Sequence, residues 1–148
     1  MSVLFAPPQD ILFEAIRHSM AEGLAEWTLV PAIETNHEFP EKVVALQSTA
    51  TEDPSVNAGW GDEDCRWWTV TAALNVVAPT DRASAVIMQL HRFMKGLRGR
   101  RYEFEGGGAA LIRSVKTLAF FSPTGQYALS GGKELTQEAG QYQISLEV

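Results

Sequence analysis

Three histidines and one cysteine, His18, His37, His91 and Cys65, are the side chains best suited to metal or nucleophile chemistry, and their spacing builds neither. His18 and His91 each fall on a predicted helix with no second ligand four residues away, so neither opens a helical metal pair or sets a base beside a nucleophile. Surface or satisfied core histidines are the reading. A lone cysteine forms no internal disulfide, and a zinc site needs three further ligands. Asp62, Glu63 and Asp64 concentrate carboxylates, yet they lack the alternating spacing of a calcium loop. Gly106 to Gly108 is followed by no Lys-Ser/Thr and no helix, so it reads as a hairpin and not as a phosphate cradle. No G-x-S-x-G elbow is present. The expectation is therefore no catalytic residue, no cofactor, no metal and no enzyme activity.

Tryptophans and charge carry more signal. Trp60 sits between glycines in a polar loop, where it either anchors a partner or folds back onto its own domain. Trp68 shares the apolar face of its strand and reads as packing. Trp67 points the other way, with Thr69 and Thr71, so either a second helix covers it or a partner does. The stretch Glu52 to Asp64 holds five acids and no base, and Arg92 to Arg101 holds five bases and no acid. In a head-to-tail assembly, the acidic loop of one subunit meets Arg98, Arg100 and Arg101 of the next. The simpler alternative is that the bases cap a helix and the acids solvate a loop.

The elements that position these residues centre on Trp67 to Leu97. WWTVTAALNVVAP alternates, with Trp68, Val70, Ala72, Leu74, Val76 and Ala78 on one face, which predicts a half-buried strand. TDRASAVIMQLHRFMKGL places Val86, Ile87, Leu90, Phe93, Met94 and Leu97 on one helical stripe. Thr80 is the expected N-cap and Asp81 lies in the first turn. Before this unit come an arm at residues 1–7, a helix from about Pro8 to Trp27, and a strand over Thr28 to Thr35. Pro31 makes that strand an edge or a broken one. A turn over Asn36 to Pro40, a second strand over Lys42 to Thr49 and an acidic loop within 50–65 follow. After it come a short strand at Tyr102 to Glu105, the glycine hairpin at 106–108, and a strand from about Ala110 to Ser122. The imperfect alternation of that strand predicts a bulge or two-sided burial. Ser122 to Gly132 is a turn-rich linker, and the strand QYQISLEV points Tyr142, Ile144, Leu146 and Val148 inward. The sum is a single α+β domain over 8–148, with two main helices flanking a mostly antiparallel sheet.

Composition sets the outer bounds. The chain has 148 residues, 45% of them hydrophobic, which suits one domain with a real core. A net charge of -6 argues against charge-driven nucleic-acid binding and against a polybasic membrane anchor. The N-terminus lacks the pattern of a signal peptide, and no apolar run is long enough for a membrane span. These features predict a soluble protein, made in the cytoplasm of its host.

Three pieces of the sequence carry a resemblance: the N-terminal helix leading into a strand, the central strand running through APTDRASAVIMQLHRFMKGL, and the closing KELTQEAGQYQISLEV, where a Gly-x-Tyr turn introduces the last strand. In this order the chain resembles the tail-terminator and tail-completion proteins of long-tailed bacteriophages. The resemblance implies a structural virion protein, a homo-oligomer that forms a ring, often a hexamer, at the head-proximal end of the tail. There it would end tube growth and join the head. The implied partners are further copies of itself, the tail tube protein and the head connector or head-closure protein. Genomic DNA would pass through the lumen without sequence-specific binding. Two alternatives stand beside this one: another morphogenesis subunit (head-closure or tail-tube), and a small intracellular ligand-binding α+β domain.

Overall fold

A computed structural model describes residues 7–31, 42–52, 67–104, 108–121 and 135–148. The expectations for Trp60, Asp62, Glu63, Asp64, Cys65, His37, the arm before Pro7, Gly106, Gly107 and the linker after Phe121 lie outside these residues. In chain order the elements are α1 (Pro8–Gly23), β1 (Thr28–Val30), β2 (Val43–Glu52), β3 (Trp67–Pro79), α2 (Ala83–Lys95), β4 (Arg101–Glu103), β5 (Ala109–Phe121) and β6 (Leu135–Glu147).

The strands form one six-stranded sheet in the order β1-β2-β3-β6-β5-β4. The α+β class is as expected, but the sheet is mixed: β1 joins β2 in parallel, and the other pairings are antiparallel. Twelve residues, 31–42, separate β1 from β2. A connection of that length lets a chain re-enter a sheet from the same end, which a two-residue hairpin cannot do. The helices do not flank the sheet on two sides. Ile11, Leu12 and Ile16 of α1 and Ile87, Leu90 and Met94 of α2 join one buried cluster with Val70, Ala72, Leu74 and Val76 of β3 and Tyr142, Ile144 and Leu146 of β6. Both helices therefore cover the same sheet face. The opposite face carries Thr49, Thr69, Thr71, Gln141, Gln143 and Ser145 on cross-strand rows, Thr49 exposed and the others half-buried.

Local chemistry explains most boundaries. Proline occupies the first turn of α1, where its missing N–H has no helical partner, and Asp10 lies near the positive end of the helix dipole. The helix stops at Gly23, short of Trp27, and the Leu24 N–H donates to the Met20 carbonyl at 2.7 Å. Thr80 is not the N-cap of α2. Residues 80–82 form a turn, Thr80 Oγ1 is 2.8 Å from Thr136 Oγ1, and the helix starts at Ala83 with no side-chain cap from Arg82. The strand β2 runs to Glu52, so residues 50–52 belong to a strand and not to the acidic loop.

The imperfect alternation of β5 corresponds to two register shifts, at Ile112/Ser114 and Thr117/Ala119. Gly140 introduces no turn; it lies inside β6, opposite Leu74 of β3 and Phe120 of β5. A Cβ there would stand 3.1 Å from the Tyr142 ring and hydroxyl and 3.4 Å from Phe120, so any larger residue would have to push those rings by a few tenths of an ångström.

Candidate assembly interface

The basic cluster is held at one end of the sheet by backbone bonds. Gly99 takes φ +81°, a left-handed conformation that suits glycine. Its N–H donates to the Ile112 carbonyl at 2.7 Å, and the Ile112 N–H donates to the Arg100 carbonyl at 3.0 Å. This staple lays the segment from Arg98 to Arg101 along the edge of β5. Arg98 and Arg101 are exposed, and Arg100 Nη1 lies 3.4 Å from Glu22 Oε2 in an exposed pair. Exposed pairs of this kind add little stability and leave the charge available to a partner. Lys95 Nζ, at the end of α2, donates to the Val115 carbonyl at 2.8 Å.

Trp67 is covered by neither helix. Arg113 of β5 lies 4.8 Å over its ring and pairs with Glu147 at 2.6 Å, so the half-buried indole and carboxylate meet an exposed guanidinium on the helix-free face. Beside it an open cleft of about 400 Å³ is lined by Arg101, Leu111, Arg113 and Glu147. Trp67, Arg101 and the β5 edge thus share one end of the molecule. Trp68 packs against the core, as its face predicts.

Charge is divided unevenly along the sequence. Residues 1–65, which supply α1, β1 and β2, contain twelve acids and two bases; residues 66–148, which supply the remaining elements, contain six acids and ten bases. Among the described residues, Arg98, Arg100, Arg101, Arg113 and Lys116 gather at the β5-β4 margin, and Glu22 of α1 stands there too, against Arg100. The two short charge runs gave only part of this signal. Counting each half of the chain separately would have found the rest.

An apolar patch lies at the basic margin. Leu118, Phe120 and Phe121, at the end of β5, are 43%, 44% and 45% exposed. Phe120 makes an edge-on contact with His91, ring centroids 5.0 Å apart, and His91 stacks on Tyr142 with Nδ1 3.0 Å from the tyrosine hydroxyl. Burial pushes the Tyr142 hydroxyl up to about 12. It therefore stays protonated, and the direction of its hydrogen bond with His91 Nδ1 follows the imidazole tautomer. His91 is held below the usual histidine value, first by desolvation and then by the nearby cations Lys95 and Arg92. A histidine with a lowered folded pKa is neutral in the native state while the unfolded chain takes up a proton, so its contribution is present above about pH 6.5 and declines as the pH falls below that. The melting temperature is expected to drop on acidification from about pH 7.5 to about pH 5.5, and His91→Asn is expected to flatten that slope when both are followed by circular dichroism. Equal slopes would remove His91 as the cause. His18, by contrast, lies edge-on to Phe104 at 6.4 Å.

Among the described residues, no three His, Cys, Asp or Glu side chains converge on a metal position, and no helix is long and apolar enough to cross a membrane. A cleft of about 160 Å³ between Trp27, Val77, Pro79 and Val86 carries Lys42 and Glu26, which pair with each other, at its rim. It is smaller than ordinary ligand pockets, which run from about 300 Å³ upward. No protein-family model matches the chain, and no curated protein is detectably similar to it.

Proposed function

We propose that the chain is a structural subunit that assembles head to tail into a closed ring, and that this ring terminates the tail tube of a long-tailed phage and joins it to the head connector. One observation carries the reading: Arg98, Arg100, Arg101, Arg113 and Lys116 gather at the β5-β4 margin of the sheet, in a chain whose acids are concentrated in residues 1–65. A surface whose two sides differ and attract each other favours a heterologous contact, and such contacts close into rings when the rotation between copies closes. The patch at Leu118, Phe120 and Phe121 adds apolar area to the basic side, where an assembled partner would cover it. The middle of the helix-free face, with its threonines, glutamines and serine, offers hydroxyls and amides, with the cations Arg113 and Lys116 confined to its β5 side, which suits a surface past which DNA moves without being held.

The terminator role is tested on growing tubes. Purified protein added to polymerising tail-tube subunits encoded in the same genome is expected to shorten the tubes and to appear as density on one end in negative-stain images. Tubes of unchanged length with bare ends would defeat the terminator role. Tubes that incorporate the protein along their whole length would instead assign it to the tube itself. A ligand-binding reading would rest on one of two clefts: the one beside Trp27 and Pro79 is below ordinary ligand size, and the one of about 400 Å³ at Arg101, Arg113 and Glu147 is open to solvent, unlike the enclosed, mostly apolar pockets that hold small molecules.

A further inference from the structure

The two margins of the sheet are complementary in backbone. On one margin β1 covers only Val43–Ala45 of β2; on the other β4 covers only Ala109–Leu111 of β5, with Arg100 bonded to Ile112 just beyond. Among the described residues, Leu46–Glu52 of β2 and Arg113–Phe121 of β5 have no strand on their outer side. Cross-strand rows place these stretches at the same height. Leu46 shares a row with Leu74, Gly140 and Phe120; Ser48 shares one with Ala72, Tyr142 and Thr117; Glu52 shares one with Trp68, Leu146 and Ile112. The covering strands lie off opposite ends of this band. β1 sits beyond the Leu46 row, and β4 sits beyond the Glu52 row.

Direction matches too. Three antiparallel steps separate β2 from β5, so the two strands run in opposite senses. A second copy set beside the first, at the same height and in the same orientation, would therefore bring its β2 antiparallel to β5, and its β1 would not collide with β4. Lys95 occupies the Val115 carbonyl, which guards the upper part of the β5 edge in the way that edge lysines do. The part left open is Lys116 to Phe121, the same stretch that exposes Leu118, Phe120 and Phe121.

Resting on the reading of the chain as a ring subunit, we propose that copies join by strand addition: β5 from Lys116 to Phe120 pairs antiparallel with β2 from Leu46 to Thr49 of the next copy, so that the sheet continues from subunit to subunit. Backbone hydrogen bonds across this seam supply direction and register. Phe120 then extends the row of Leu46 on the helix face, and the exposure of Leu118 and Phe121 falls.

Disulfide trapping tests this directly. In a Cys65→Ser background, the paired substitutions Ser48→Cys and Thr117→Cys place thiols on one row at the seam. Within one copy β3 and β6 stand between these positions, three strand spacings or roughly 14 Å, too far for a bridge. Oxidation is expected to give a covalent ladder of oligomers from the double variant and none from either single variant. The outer-face pair Thr49→Cys and Lys116→Cys occupies the neighbouring row and is expected to cross-link as well. Oligomers of unchanged mass and shape without any cross-link from either pair would overturn strand addition while leaving the ring reading intact. Cross-linked dimers from Thr117→Cys alone would overturn it in favour of a symmetric β5-to-β5 seam. A monomer at all concentrations would overturn both.

Discussion

Self-assembly is expected to collapse when Arg98, Arg100 and Arg101 are all replaced by glutamate. The triple change moves the net charge from -6 to -12, since each substitution removes one positive and adds one negative charge. It also turns the Arg98–Arg101 segment from one that attracts the acidic residues of the next copy into one that repels them. Steering between complementary surfaces contributes about 10–10³-fold in association rate at low salt, and a change of sign forfeits that gain. Light scattering at low salt should find the variant dissociated at concentrations where the unmodified protein is assembled. Circular dichroism should find it folded, because Arg98 and Arg101 are exposed and the Arg100 pair with Glu22 is a long surface one. Salt distinguishes the mechanism: added salt weakens assembly of the parent, and the variant has little left to lose. Assembly that survives the triple change would remove the basic margin from the account and return these arginines to the role of helix and strand termini.

The largest effect on stability is expected at Tyr142. Its ring is fully buried, it lies in the middle of β6 beside Gly140, and its hydroxyl meets His91. Tyr142→Ala removes a large aromatic volume from the place where β6, β5 and α2 meet, and losses of this kind cost about 3–5 kcal/mol. For a domain of this size that corresponds to a fall in melting temperature of about 10 °C or more. Tyr142→Phe keeps the ring and loses one hydrogen bond to a partly solvated imidazole, so it should cost only about 1 kcal/mol. The ratio between the two is the informative quantity. If phenylalanine proved as damaging as alanine, the hydroxyl and not the packing would be what holds α2 to β6.

The fold class, β3 and the buried stripe of α2 were legible because each is written in a local period. Alternation from Trp67 to Pro79 and the three-and-four spacing from Ile87 to Leu97 need only one face to be dry. What was misread depends on distant parts of the chain. Thr80 has the chemistry of an N-cap, but Thr136 of β6 competes for its hydroxyl, and no local pattern announces a partner more than fifty residues away. Gly140 resembles a turn residue next to Tyr142, yet it is a strand glycine that makes room for the tyrosine ring, a role visible only once β5 is laid beside β6. The parallel entry of β1 depends on the path of a twelve-residue connection, which residue type does not determine.

For the candidate interface, Arg98, Arg100, Arg101 and Trp67 could be read as residues with something to meet, because charge without a counter-charge and a tryptophan on a polar face are local features. That they share one end of the molecule, with Arg113 bridging Trp67 and Glu147, follows only from the strand order. The Leu118–Phe121 patch was counted as ordinary strand, since its exposure comes from the shortness of β4 and not from its own composition.

The central claim is that this chain closes a ring with itself, and native mass is the most direct measure of it. Light scattering across protein concentration and ionic strength, with negative-stain images of the largest species, is expected to show a discrete multiple of 16.3 kDa that forms at low salt, dissociates as salt rises and appears as a closed ring. A species that stays at 16.3 kDa at every concentration and at low salt, with or without tail tubes present, would contradict the account.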